Sequence, residues 1–291
     1  MSRIFITGDR GFFGTRFHSV FDHVHTVMGV DVADVDIVDK AAVRDAVGEF
    51  RPDIVVHAAA ITSTEFSNAQ PDLTRKINVD GAANVAEAAE RVGARLIFFS
   101  TEQVFNGNTD PGPYTEADKP VPNTMYGKTK LDAEQQLRDI TGDLWVLRFT
   151  WLFGMPERNM PVNPNILWNT LQLALSGKRS AVARREFRGH TYGYDMIGQI
   201  LGVLDRPAGT YHIGSRTDLD RYDITCHILK EVGLGERIDA LVEPDNEKYS
   251  SGPRDVRLDV SKLDSLGISF DESPEALSRA IAEFGLRGAL G

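Results

Sequence analysis

The sequence predicts an α/β fold: a doubly wound parallel sheet followed by a smaller C-terminal α/β lobe. Three observations predict it. Short apolar runs of the buried-strand kind, at Ile4–Ile6, Ile54–Ala60, Arg95–Phe99 and Leu144–Phe149, alternate with longer segments of helical pattern. A glycine-punctuated turn, Thr7-Gly8-Asp9-Arg10-Gly11-Phe12-Phe13-Gly14, stands on the first strand-to-helix junction. The chemically capable residues, from Gly8 and Asp31 through Ala58 to Ser100-Thr101, all fall at the carboxyl ends of strands, the edge where such sheets bind ligands.

Composition sets the outer bounds. A chain of 291 residues buries a large core, and 42% hydrophobic with 25% charged residues are ordinary globular values. The net charge of −10, without a long basic run, argues against a nucleic-acid or anionic-membrane surface. A single cysteine, Cys226, excludes an intramolecular disulfide framework and suits a reducing compartment. The seven histidines lack metal-ligand spacing, so no metal is expected. No stretch approaches the ~20 apolar residues that span a bilayer, and the N-terminus enters a strand too early to be a signal peptide. A soluble, cytoplasmic protein is expected.

Taken in order, Ile4-Phe5-Ile6 reads as a buried strand, then a glycine turn, then a helix to about Phe21. Glycines at 8, 11 and 14 allow a tight turn, close approach of a diphosphate and close helix–sheet packing, as in a Rossmann-type dinucleotide site. The first glycine gap is one residue longer than in Gly-x-Gly-x-x-Gly. A second strand, about 24–30, ends at Asp31, 23 residues after Gly8, where a carboxylate receives the adenosine ribose hydroxyls of NAD and repels the extra phosphate of NADP. Arg10 offers that phosphate a partner. The balance tilts to NAD. Asp36-Ile37 reads as the end of a short strand flanking adenine. Asp39 caps a helix through Phe50. Ile54–Ala60 reads as a continuous strand whose small residues leave room for a ligand. A long helix over about 72–92 carries Asn78, and the strand from Arg95 ends in Ser100-Thr101.

Pro120 and Pro122 forbid helix upstream of Asn123, which is placed to cap a helix that contains Tyr126 and Lys130. Four residues apart, these two share one helix face. An ammonium beside a phenol stabilises the phenolate, so the pair forms a general acid/base near neutral pH. Taken alone, the same spacing is more often a surface Tyr and Lys. After the strand Leu144–Phe149 comes Thr150-Trp151, then a proline-marked loop. Helices are expected over 166–175, 194–204, 221–232 and 274–284, with a short strand at 210–213. The run Arg184-Arg185-Glu186-Phe187-Arg188 reads as basic and exposed. The expected division is a dinucleotide-binding domain over 1–155, with segments returning from about 190–215, and a substrate lobe built mainly from 156–291.

These residues resemble the extended short-chain dehydrogenase/reductase family, within it the dTDP-4-dehydrorhamnose reductase branch. The resemblance rests on the glycine turn, His57–Thr62, Ile77-Asn78-Val79-Asp80-Gly81, Ser100-Thr101-x-x-Val104-Phe105, Tyr126–Glu134, Leu147–Trp151 and Pro253–Leu263, and so spans nearly the whole chain. It implies hydride transfer from a reduced nicotinamide, NAD(H) or NADP(H), to the keto carbon of a nucleotide-sugar substrate. Thr101, with Ser100 nearby, would bind the carbonyl oxygen, Tyr126 would deliver the proton, and Lys130 would hold the nicotinamide ribose. The dinucleotide would lie against Gly8, Arg10, Gly11, Phe12, Phe13, Gly14, Asp31, Asp36, Ile37, Ala58, Ala59, Ala60, Thr62, Ser100, Tyr126 and Lys130. The substrate would meet Glu102, Gln103, Thr150, Trp151 and Arg254, the last through its diphosphate, though a structural salt bridge explains Arg254 equally. Two departures from the branch, Glu102-Gln103 after the threonine and Glu186–Thr191 in place of a Gln-x-Gly-x-Pro-Thr-like segment, leave the sugar open. A sugar-nucleotide epimerase is a second enzyme reading. A dehydratase is disfavoured because Gln103, where a base is required, cannot take a proton. A third reading is a non-catalytic binding subunit, because parts of the chain also resemble the regulatory subunit of methionine adenosyltransferase. An apolar helix face allows a homodimer, although core burial explains such a face equally well.

Overall fold

The computed structural model describes residues 1–291, which divide into two compact units. The first comprises Met1–Asn108, Glu116–Phe149 and Ile197–His212; the second comprises Thr109–Thr115, Thr150–Met196 and Ile213–Gly291.

In the first unit β1 (Arg3–Thr7), β2 (Thr26–Val30), β3 (Ile54–His57), β4 (Arg95–Thr101) and β5 (Leu144–Phe149) pair in parallel. With β10 (Gly209–Ile213) they form one sheet in the order β10-β5-β4-β3-β1-β2. Strand side chains alternate between faces. One set, including Phe5, Val55, Leu96, Phe98 and Val146, packs with apolar residues of α2 (Lys40–Phe50), α5 (Ala82–Val92) and α6 (Met125–Ile140). On the other, Phe13 of α1 (Phe12–Phe21) meets Phe99 edge-on at 4.7 Å, and Phe99 meets Phe149 at 4.5 Å. The strand order reverses between β1 and β3, the switch point at which parallel sheets hold ligands.

Several local expectations change. No strand forms at Asp36-Ile37. The aspartates there bond to nearby backbone, Asp31 Oδ1 accepting from Val32 N at 2.8 Å and Asp36 Oδ1 from Val38 N at 2.9 Å, which favours turns over a ladder. The apolar run from Ile54 pairs only as far as His57; Ala59 N instead donates to Thr7 Oγ1 at 3.2 Å. The long helix is α4 (Pro71–Arg75), a π-helical turn over Lys76–Gly81 and α5, preceded by the short α3 (Thr64–Ala69). Thr124, not Asn123, caps α6 by accepting from Gly127 N at 3.1 Å, while Asn123 Oδ1 accepts from Asn106.

The second unit builds three two-stranded parallel ladders: β6 (Trp151–Phe153) with β9 (His190–Tyr192), β7 (Ser180–Ala183) with β11 (Val242–Asp245), and β8 (Glu186–Phe187) with β12 (Arg254–Asp255). Phe153 and Tyr192 share a core with residues of α7 (Ile166–Ser176), α9 (Arg221–Glu231) and α12 (Ser273–Glu283). The segment expected to be basic and exposed is instead buried around Glu186. Glu186 is 2% and Arg188 8% exposed, because arginines distant in sequence close over the carboxylate. No helix is long and apolar enough to cross a membrane.

Candidate active site

The glycine turn sits at the end of β1. Gly8 has φ +76°, and a Cβ there would lie 2.9 Å from Ala59 N and 3.1 Å from the Ala58 carbonyl carbon. Only glycine lets the turn lie this close to the strand-end alanines. Gly11 stands at the α1 N-cap without a side-chain cap, and the first turn of α1 holds no acidic residue. Backbone N–H groups left without a side-chain acceptor, in a positive helix-dipole end, fit an anionic diphosphate. Phe12 and Phe13 are buried, Phe12 under the Arg16 guanidinium at 4.1 Å, so their side chains serve packing and only their backbone is offered to a ligand. Asp31 follows β2 directly, its Oδ2 accepting from Arg10 N at 3.1 Å, while the Arg10 guanidinium pairs with Asp34 at 2.9 Å. Asp36 and Thr62 are exposed, and Ile37 is buried against Gly81.

Tyr126, Lys130 and Glu134 lie on the buried stripe of α6. The Lys130 ammonium rests 4.2 Å from the centroid of Phe98. Burial pulls its pKa down to about 7, with the Glu134 charge acting in the opposite direction. Beside Phe98 in register is His57, whose ring stacks on it at 5.8 Å and whose Nδ1 shares a 2.7 Å hydrogen bond with Thr7 Oγ1. Burial, then the charge of Lys130, push His57 down to about 3, so it is neutral. The turn after β4 reaches the same helix end: a Cβ on Gly127 would stand 2.5 Å from the Gln103 carbonyl oxygen. That close approach brings Thr101–Gln103 against the first turn of α6. Thr101 Oγ1 accepts from Gln103 N at 3.2 Å, which leaves its proton to donate. Ser100 points to the other side, its Oγ donating to Glu134 Oε1 at 2.5 Å. The two neighbouring hydroxyls therefore have different partners. Glu102 is buried, and Gln103 Oε1 accepts from Thr64 at 3.2 Å.

Within the second unit Thr150 is buried with its hydroxyl on Thr191 at 2.5 Å. The Arg188 guanidinium lies 4.6 Å above the half-buried Trp151 ring. Arg254 pairs with Glu186 Oε1 at 2.5 Å and Arg221 with Oε2 at 3.0 Å. Burial opposes the Glu186 charge, but Arg254, Arg221 and Arg188 hold its pKa down to about 2. Three guanidiniums thus act on one carboxylate.

The family model described as the RmlD substrate binding domain matches residues 2–286. The chain belongs to the RmlD substrate binding domain family. It is 30% identical over 278 residues to methionine adenosyltransferase 2 subunit beta of Pongo abelii, covering 91% of this chain and 83% of that protein. A dTDP-4-dehydrorhamnose reductase structure from Clostridium acetobutylicum ATCC 824 is 28% identical at a TM-score of 0.86, covering 97% of this chain and 99% of its own. The dTDP-4-dehydrorhamnose reductase of Bacillus anthracis str. Ames, solved in complex with NADP, is 26% identical with the same TM-score and the same coverage.

Three residues of this RmlD-family chain stood inside the motifs without an assigned role. Asn78, inside the π-helical turn, donates to Ile61 O at 3.0 Å and to Thr129 Oγ1 at 3.2 Å, and accepts from Ile61 N at 2.8 Å, so it ties the loop after β3 to α6. The bond between His57 and Thr7 had no sequence signal, since the residues are 50 apart. Glu134 did have one: it stands four residues beyond Lys130, on the same helix stripe.

Proposed function

We propose that the protein reduces the keto group of a nucleotide-activated deoxysugar, using a reduced nicotinamide dinucleotide. The observation that carries the reading is the convergence of Tyr126, a buried Lys130 and the Thr101 turn at the start of α6, in the unit that also holds the glycine turn. When bound, the dinucleotide supplies the hydride. Gly8, the N-terminus of α1 and Asp31 hold its diphosphate and ribose. Thr101, its acceptor side occupied by Gln103 N, donates to the substrate carbonyl oxygen. A donor already fixed in place stabilises the developing alkoxide without reorganising at the moment of reaction. Tyr126 gives that oxygen its proton, and the Lys130 charge stabilises the phenolate left behind. Arg254 is the candidate for the substrate diphosphate, because a guanidinium fork matches phosphate oxygens. Asp31 and the Arg10–Asp34 pair favour NADH over NADPH.

The test is substrate-dependent loss of reduced-nicotinamide absorbance with a dTDP-4-keto-6-deoxysugar, run with NADH and NADPH in parallel. Tyr126→Phe is expected to cut turnover by about 10²–10⁴-fold with little change in dinucleotide affinity. No turnover despite tight dinucleotide binding would exclude this substrate class. A second reading, a binding subunit, draws on the 30% identity to methionine adenosyltransferase 2 subunit beta. It predicts a stable complex with a methionine adenosyltransferase that survives Tyr126→Phe.

A further inference from the structure

Glu134 is fully buried, one helical turn along α6 from Lys130. The two side chains stand over adjacent pairs of the sheet. Lys130 lies over Phe98, which is in register with His57, and Glu134 lies over Ser100, which is in register with Arg148. Both carboxylate oxygens are doubly occupied. Oε1 accepts from Ser100 Oγ at 2.5 Å and Arg148 Nε at 3.0 Å, and Oε2 from Arg148 Nη2 at 2.8 Å and Arg138 Nη2 at 3.2 Å. Burial opposes this charge, yet the Arg148 fork, the Ser100 bond and Arg138 hold the group below the ordinary carboxylate range. It therefore stays ionised in the dry interior and is fixed in direction.

The reaction scheme above uses Lys130 but none of this network. A buried ammonium is driven towards the neutral amine by desolvation, and a neutral lysine cannot stabilise a phenolate. The groups facing Lys130 are few. His57 from β3 is neutral, Phe98 from β4 offers its ring face, Tyr126 lies one turn back on α6, and Glu134 supplies the negative charge. Arg148 from β5 and Arg138 bind the carboxylate itself.

We propose that Glu134, clamped by Ser100, Arg148 and Arg138, is a positioning residue that keeps the Lys130 ammonium charged beside Tyr126. The inference rests on the assignment of Tyr126 and Lys130 to the reaction. Ser100 belongs to this device, its hydroxyl donating to the Glu134 carboxylate.

The experiment titrates Lys130 directly by NMR of full-length protein labelled with ¹³Cε-lysine, the resonance being assigned with Lys130→Met. Glu134→Gln is compared with the native chain. Glu134→Gln/Arg148→Gln provides a second variant with no buried arginine left unpaired, should the single change fail to fold. The native midpoint is expected near 7. In Glu134→Gln it should fall by about one pH unit or more, a tenfold loss of charged lysine at a fixed pH, and in the double variant, which also loses the Arg148 cation, by less but by more than about 0.3 unit; the alkaline limb of kcat/KM should move to lower pH with it. A purely structural Glu134 would lower the melting temperature and leave the midpoint within about 0.3 unit of native, which overturns the proposal. The midpoint is read without turnover, so failure of the reductase assignment does not mimic failure of this one.

Discussion

Asn78→Ala isolates the link between the loop after β3 and α6. The substitution removes three hydrogen bonds, two to the backbone of Ile61 and one to Thr129. Each is worth about 1 kcal/mol net, and because Ile61 is half-buried, water replaces part of what its backbone loses. The expected cost is about 2–3 kcal/mol, which for a unit of this size lowers the melting temperature by about 4–10 °C. The loop from Ala58 to Thr62 is then no longer tied to α6, so NADH should bind several-fold more weakly and the Ile61 amide should exchange faster. Urea denaturation, fluorescence titration with NADH and hydrogen exchange read the three effects. Asn78→Asp keeps the acceptor for Ile61 N but loses both donors, and should recover only part of the loss. A melting temperature within about 1 °C of native, with unchanged NADH affinity, would refute the clamp.

Gly8→Ala forces a side chain into a left-handed backbone and against the Ala59 backbone, and should cost about 2–4 kcal/mol while weakening dinucleotide binding, measured by urea midpoint and NADH titration. Glu186 has a folded pKa of about 2 against 4.5, so its stabilising share is complete above about pH 4.5 and is lost as pH falls towards 2. Unfolding free energies from urea titrations across that window should fall by about 3 kcal/mol more in the native chain than in Glu186→Gln. His57 and His190, each held neutral with a pKa near 3 against 6.5, add stability that is lost as pH falls from 6.5 towards 3. His57→Gln should therefore unfold less steeply on acidification across that range.

Most of the sheet was legible because its signals are local. The apolar runs at β1, β4 and β5, the Asp39 cap and the helix-face spacing of Tyr126 and Lys130 each sit within a few residues. What escaped depends on distant partners. The π-helical turn forms where Asn78 bonds to residues 17 and 51 positions away. The charged run around Glu186 looked like a solvated loop because Arg221 and Arg254, 35 and 68 positions on, are invisible from within it. The aspartates at 31–36 misled for a different reason: their alternation with apolar residues mimics a strand, while their side chains compete for the backbone N–H groups a strand would need.

The central claim, hydride delivery to a sugar carbonyl at Tyr126, is tested most directly by turnover with dinucleotide deuterated at the transferring position. Mass spectrometry and NMR of the product should find one deuterium on the former keto carbon, and Tyr126→Phe should nearly abolish its incorporation. A product without deuterium at that carbon, or equal incorporation by Tyr126→Phe, would contradict the account.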